Sequence, residues 1–168
     1  MKILIAEDEN DIAIPYRIAL EKRSHDVVMT SNGEDCLMTY YEALRRVSKR
    51  NSSPFDVVVL DYRMPKMDGM EVAKAILRVN PHQRIIFASA YVKDTLVDSV
   101  KQLKQVVELI QKPFELDALI NTIEDKEIYT ELEKLNAKVQ QIKDLDPTHE
   151  EVRDLLDGLR MVMKGRTF

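Results

Sequence analysis

Five short apolar runs recur along the chain: KILIA (2–6), DVVMT (26–30), DVVVL (56–60), RIIFA (84–88) and QVVELI (105–110). Each is brief and rich in branched side chains, which predicts strands buried on both faces. Between them apolar residues return at helical spacing. Residues 11–23 carry Ile12, Ile14, Ile18 and Ala19, and residues 34–47 carry Leu37, Tyr40, Tyr41 and Leu44. Residues 70–79 carry Met70, Val72, Ala73, Ile76 and Leu77, and residues 92–103 carry Val92, Leu96, Val97 and Val100. These stretches predict amphipathic helices. Breakers stand where one element should give way to the next, at Ser31-Asn32-Gly33, Asn51 to Pro54, Asp68-Gly69 and Asn80-Pro81. Strict βα alternation predicts an α/β fold, with five parallel strands between layers of helices, over residues 1–123.

Composition narrows the class. Of 168 residues, 45% are apolar and 32% charged, the balance of a packed globular protein with a polar surface. The formal net charge of -4 argues against a nucleic-acid partner. No apolar run approaches the roughly 18 residues that span a bilayer. MKILIAEDEN turns acidic after six residues, unlike a secretory leader. With the single Cys36 these features predict a cytoplasmic protein with no membrane contact. Cys36 lies on an apolar helical face and reads as core filler. His25, His82 and His149 are scattered, so zinc and serine–histidine chemistry lack support.

In parallel sheets ligands bind beyond the carboxyl ends of the strands. There the sequence sets Glu7 and Asp8 after the first strand and Asp61 after the third. Ser89 follows the fourth strand, and Lys112 with Pro113 the fifth. Singly each has an ordinary reading: Glu7-Asp8 as a solvated loop or cap, Asp61 as a turn former, Ser89 and Lys112 as loop residues. Jointly they point to chemistry. Three acids repel unless a cation neutralises them, and oxygen-only ligands suit Mg²⁺ with phosphate oxygens completing its shell. Lys112 supplies a point charge for a phosphoryl group and Ser89 a hydroxyl donor. Asp61, at the end of the most buried run, reads as a nucleophile that forms an aspartyl phosphate.

ILIAEDEN, VVVLDYRMPKMDG, IIFASA and QKPF, in this order and spacing, resemble the receiver domain of two-component response regulators over residues 1–123. The resemblance implies a flavodoxin-like sheet of order 2-1-3-4-5. It implies that Asp61 takes a phosphoryl group from a phosphohistidine on a sensor histidine kinase or a histidine phosphotransfer protein. Asp8, Asp61 and the backbone carbonyl of Arg63 would ligate Mg²⁺, with Glu7 holding it through water. Lys112 would pair with Asp61 at rest and with the phosphoryl group afterwards, and Ser89 would turn towards it. The Lys112–Pro113 bond should be cis, and Arg63 and Tyr91 match positions that govern phosphoryl lifetime. Leu109 stands where the family commonly carries a switching aromatic. A magnesium phosphohydrolase would want a second aspartate where Arg63 stands. The protein thus reads as a signalling switch that catalyses only its own phosphorylation and dephosphorylation.

The helix beginning near Glu115 is expected to continue past the receiver into an extension over residues 124–168. Ile128, Leu132, Leu135, Val139 and Ile142 follow coiled-coil spacing for about two heptads. After Asp146-Pro147 a further helix carries Val152, Leu155, Leu156, Leu159 and Val162 on one stripe. The pair could fold back as a hairpin, dock another protein or join two copies into a homodimer. From residue 125 onward ten acids stand against eight bases, which does not suit a DNA-binding output.

Overall fold

The computed structural model describes residues 1–47, 52–90, 103 and 105–144, with side chains up to residue 137. The elements are β1 (Lys2–Ala6), α1 (Asn10–Lys22), β2 (Asp26–Thr30), α2 (Gly33–Arg45), β3 (Val57–Leu60) and α3 (Gly69–Val79). They continue with β4 (Ile85–Ser89), β5 (Glu108–Gln111), α4 (Leu116–Glu124) and α5 (Lys126–Asp144). The expected helix over 92–103 except for Leu103, together with Tyr91, His149 and the stripe from Val152 to Val162, lies outside the described residues.

All strand pairs are parallel, in the order β2-β1-β3-β4-β5. β3 is therefore central, as its unbroken apolar run predicts. Its residues alternate between two cores. Val58 and Leu60 meet Leu4, Ile85 and Phe87 with Tyr40 of α2 and Val72 and Ile76 of α3. Val57 and Val59 meet Ile3, Ile5 and Ile86 with Tyr16 and Leu20 of α1 and Leu119, Ile120 and Ile123 of α4. Burying each such side chain stabilises the fold by roughly 1.5–3 kcal/mol, so the sheet centre is its most fixed part. Cys36 is fully buried, as expected, and burial pushes its thiol up to about 12 against a hydrogen bond with Thr30.

Two caps depart from the sequence reading. The helix α1 already begins at Asn10. Glu9 holds the extended cap position, and its carbonyl accepts from the Ile12 and Ala13 amides, each at 2.9 Å. The helix after β5 also does not run on without a break. α4 ends at Glu124, and Asp125 accepts the Ile128 amide at 3.1 Å, so a side-chain cap starts a new helix. The chain divides into two compact units at this break, Met1–Ile123 and Glu124–Phe168. Among the described residues no helix is long and apolar enough to cross a membrane.

At the amino ends of the strands lies a buried ion pair. Arg84 and Glu108 meet side by side, Nε to Oε2 at 2.8 Å and Nη2 to Oε1 at 3.2 Å, with side chains 5% and 3% exposed. The same guanidinium donates to the carbonyls of Ile123, at 2.9 Å, and Thr122. One cation thus joins β4 to β5 and satisfies the last turn of α4.

Candidate functional site

The register brings the strand ends level. Ala6 pairs with Leu60 and Leu60 with Phe87, and the Asp61 amide donates to the Ala6 carbonyl at 3.0 Å. Glu7 and Asp61 therefore leave adjacent strands side by side. On the other flank Ser89 pairs with Gln111, and the Lys112 amide donates to the Ser89 carbonyl at 2.9 Å. Hydrophobic ladders set these positions; the polar residues occupy the next step in each.

Carboxylate oxygens of Glu7, Asp8 and Asp61 lie within 4.8 Å of one another. Glu7 is buried, Asp61 is 9% exposed and Asp8 stands at the open rim. Lys112 Nζ donates to Glu7 Oε2 at 2.6 Å and to Asp61 Oδ2 at 3.1 Å. The ammonium thus favours Glu7, the more deeply buried acid. Burial raises the Glu7 carboxyl and the charge of Asp61 adds to the rise, while the Lys112 bond and charge and the Glu9 amide pull it down. For Lys112 burial acts downward, yet the Glu7 bond and the two acidic charges outweigh it and raise the ammonium. Ser89 is fully buried, Arg63 is exposed, and the Lys112–Pro113 bond is cis. Leu109 is half-buried against the core that α2 and α3 cover.

Two further residues shape the site. Tyr16 stacks on Phe114 with ring centroids 5.8 Å apart. Burial raises its phenol, and the charges of Glu7 and Asp61 raise it further, so it stays a neutral floor beside the acids. Its spacing of four residues from both Ile12 and Leu20 is a core signal, yet period alone does not reveal the site above it. Gly69 follows Asp68, whose side chain caps α3 in a reciprocal box with Glu71. The Gly69 amide donates to the Tyr62 carbonyl at 2.9 Å, and a Cβ here would stand 2.1 Å from the Asp61 carbonyl oxygen. Gly69→Ala should therefore cost about 1–3 kcal/mol by overpacking. A lower midpoint of urea unfolding checks this, and an unchanged midpoint would mean that α3 yields freely.

Chemically the arrangement offers a carboxylate on the rigid central strand, a gathered set of oxygen donors and an ammonium within hydrogen-bond reach. The family described as the response regulator receiver domain matches residues 3–124. The response regulator receiver protein CpdR of Brucella abortus is 32% identical over 123 residues, covering 73% of this chain and 93% of that protein. Sporulation initiation phosphotransferase F of Bacillus subtilis is 28% identical over 122 residues, covering 73% and 90%. Among solved structures, a response regulator receiver domain protein from Clostridium thermocellum superposes with a TM-score of 0.63 at 25% identity, covering 78% of this chain and 97% of that one. The response regulator TrrA of Thermotoga maritima, in complex with Mg²⁺-BeF, gives 0.58 at 26% identity, covering 73% and 96%.

Proposed function

The chain belongs to the response regulator receiver domain family, and from that premise we propose that Asp61 is the residue that accepts the phosphoryl group. The donor is a phosphohistidine on a sensor histidine kinase or a histidine phosphotransfer protein. The observation that carries the reading is the gathering of three carboxylates within 4.8 Å, with the Lys112 ammonium 3.1 Å from Asp61.

These donors fit Mg²⁺, since all are oxygens and the carboxylates share one pocket. Asp8, Asp61 and the Arg63 carbonyl would hold the ion, and Glu7 would hold it through water. When bound, it polarises the phosphoryl oxygens and offsets their charge. Asp61 presents its carboxylate oxygen to phosphorus; an O–P bond forms as the P–N bond to the donor imidazole breaks, its electron pair staying on nitrogen. Lys112 moves from carboxylate to phosphoryl oxygens, and Ser89 turns its hydroxyl to the same group. Arg63 at the rim, with Tyr91, governs the access of water and so the lifetime of the acyl phosphate. Leu109 cannot supply an aromatic flip, so Ser89 carries the change and Tyr91 is the aromatic left to move with it. The extension is the place for self-association, through Ile128, Leu132 and Leu135 of α5.

Incubation with acetyl phosphate and Mg²⁺ tests this. Intact mass should rise by one phosphoryl group, and the rise should vanish with EDTA. Folded protein whose mass never changes would defeat the reading. Size exclusion on the same samples reports whether the extension joins two copies.

A further inference from the structure

The segment that carries Asp61 leaves the sheet after β3 and enters α3 at Gly69. Midway it meets the start of α2. A Cβ on Gly33 would stand 2.1 Å from the Met67 carbonyl oxygen, 2.8 Å from its carbonyl carbon and 2.8 Å from its Cβ. Two of these atoms are backbone, so no side chain can swing aside.

Neither partner retreats easily. Asn32 is buried and caps α2, with Oδ1 accepting the Asp35 amide at 2.9 Å and Nδ2 donating to Asp35 Oδ2 at 2.6 Å. The Cys36 amide donates to the Asn32 carbonyl at 3.1 Å. On the loop, the Met67 amide donates to the Pro65 carbonyl at 2.8 Å, closing a three-residue turn around Lys66. Lys66 has φ 69°, the left-handed region that side chains other than glycine rarely adopt. Such a turn persists only where its surroundings hold it. Lys66 and Glu34 also pair across this seam, but at 3.8 Å with both side chains exposed, which contributes little. The close backbone approach holds the seam.

We infer that Gly33 is a positioning residue for phosphoryl uptake. Lacking a side chain, it lets α2 seat against the Met67 carbonyl and fixes the height of the loop that presents Asp61 and the Arg63 carbonyl. The role presupposes Asp61 as the acceptor.

Three variants of the full chain test it, each checked for folding by circular dichroism. Gly33→Ala pushes the loop from the α2 side. Lys66→Pro pushes it from within, because proline holds φ near about −65°. Lys66→Gly removes the same exposed side chain and keeps the turn. Gly33→Ala and Lys66→Pro should slow acetyl phosphate loading by about tenfold or more and weaken Mg²⁺ binding in calorimetry. Lys66→Gly should keep both. A folded Gly33→Ala that loads and binds Mg²⁺ like wild type overturns the role. If Gly33→Ala does not fold, Lys66→Pro decides by the same two readouts. Wild type that takes up no phosphate removes the acceptor reading and this role with it, a result distinct from equal loading by all variants.

Discussion

Asp61→Asn should take up no phosphoryl group from acetyl phosphate and Mg²⁺ while remaining folded. The amide keeps the shape of the carboxylate, so the packing at the end of β3 is preserved. What goes is the anionic oxygen proposed to bond to phosphorus, and with it one of the three carboxylates gathered within 4.8 Å. An amide neither attacks phosphorus as a carboxylate does nor offsets a divalent charge. Lys112 keeps its 2.6 Å bond to Glu7, so the ammonium stays in place. Loss of uptake therefore reports the acceptor itself and not collapse of the pocket. Intact mass and calorimetric Mg²⁺ titration, run beside wild type, check this. Phosphate on the variant would move the acceptor elsewhere; Asp8 would be the next carboxylate to replace.

Glu108→Ala should lower stability by about 3–5 kcal/mol, because it leaves a buried guanidinium without its carboxylate. Arg84 would keep its bonds to the Thr122 and Ile123 carbonyls but lose both contacts to Glu108, at 2.8 and 3.2 Å. Urea unfolding should show the loss as a lower midpoint with unchanged slope. Joint replacement, Arg84→Met with Glu108→Leu, should cost less than Glu108→Ala alone, since no charge then remains buried. The two carbonyls of α4 would still lose their donor, which keeps the double variant below wild type. A single variant within about 1 kcal/mol of wild type would mean that water reaches Arg84, and the pair would then rank with exposed ones.

The central strands were legible because apolar runs flanked by breakers leave few alternatives, and their order followed from the resemblance. The gathering of Glu7, Asp8, Asp61 and Lys112 was legible for the same reason: in a parallel sheet the residues after each run come level. Four features were not. QVVELI predicts a strand from 105, but β5 pairs only over Glu108–Gln111, since pairing depends on where β4 offers partners. Helical spacing runs through residue 125 unbroken, whereas Asp125 competes for the Ile128 amide and ends the run. Arg84 opens one apolar run and Glu108 sits inside another, and opposite charges in neighbouring strands were a signal that could have been used. Gly33 is harder to read, because its meaning lies in the Met67 carbonyl, 34 positions on.

The two ends of the strands differ in what they leave unanswered. Around Arg84 and Glu108, cation, anion and carbonyls answer one another among the described residues. At the opposite pole, among the described residues, one ammonium faces three carboxylates and leaves an anionic surplus. An arriving phosphoryl dianion and its counter-ion can thus redraw the electric field at one pole while the other stays an anchor, giving the fold a stator and a rotor along the same five strands.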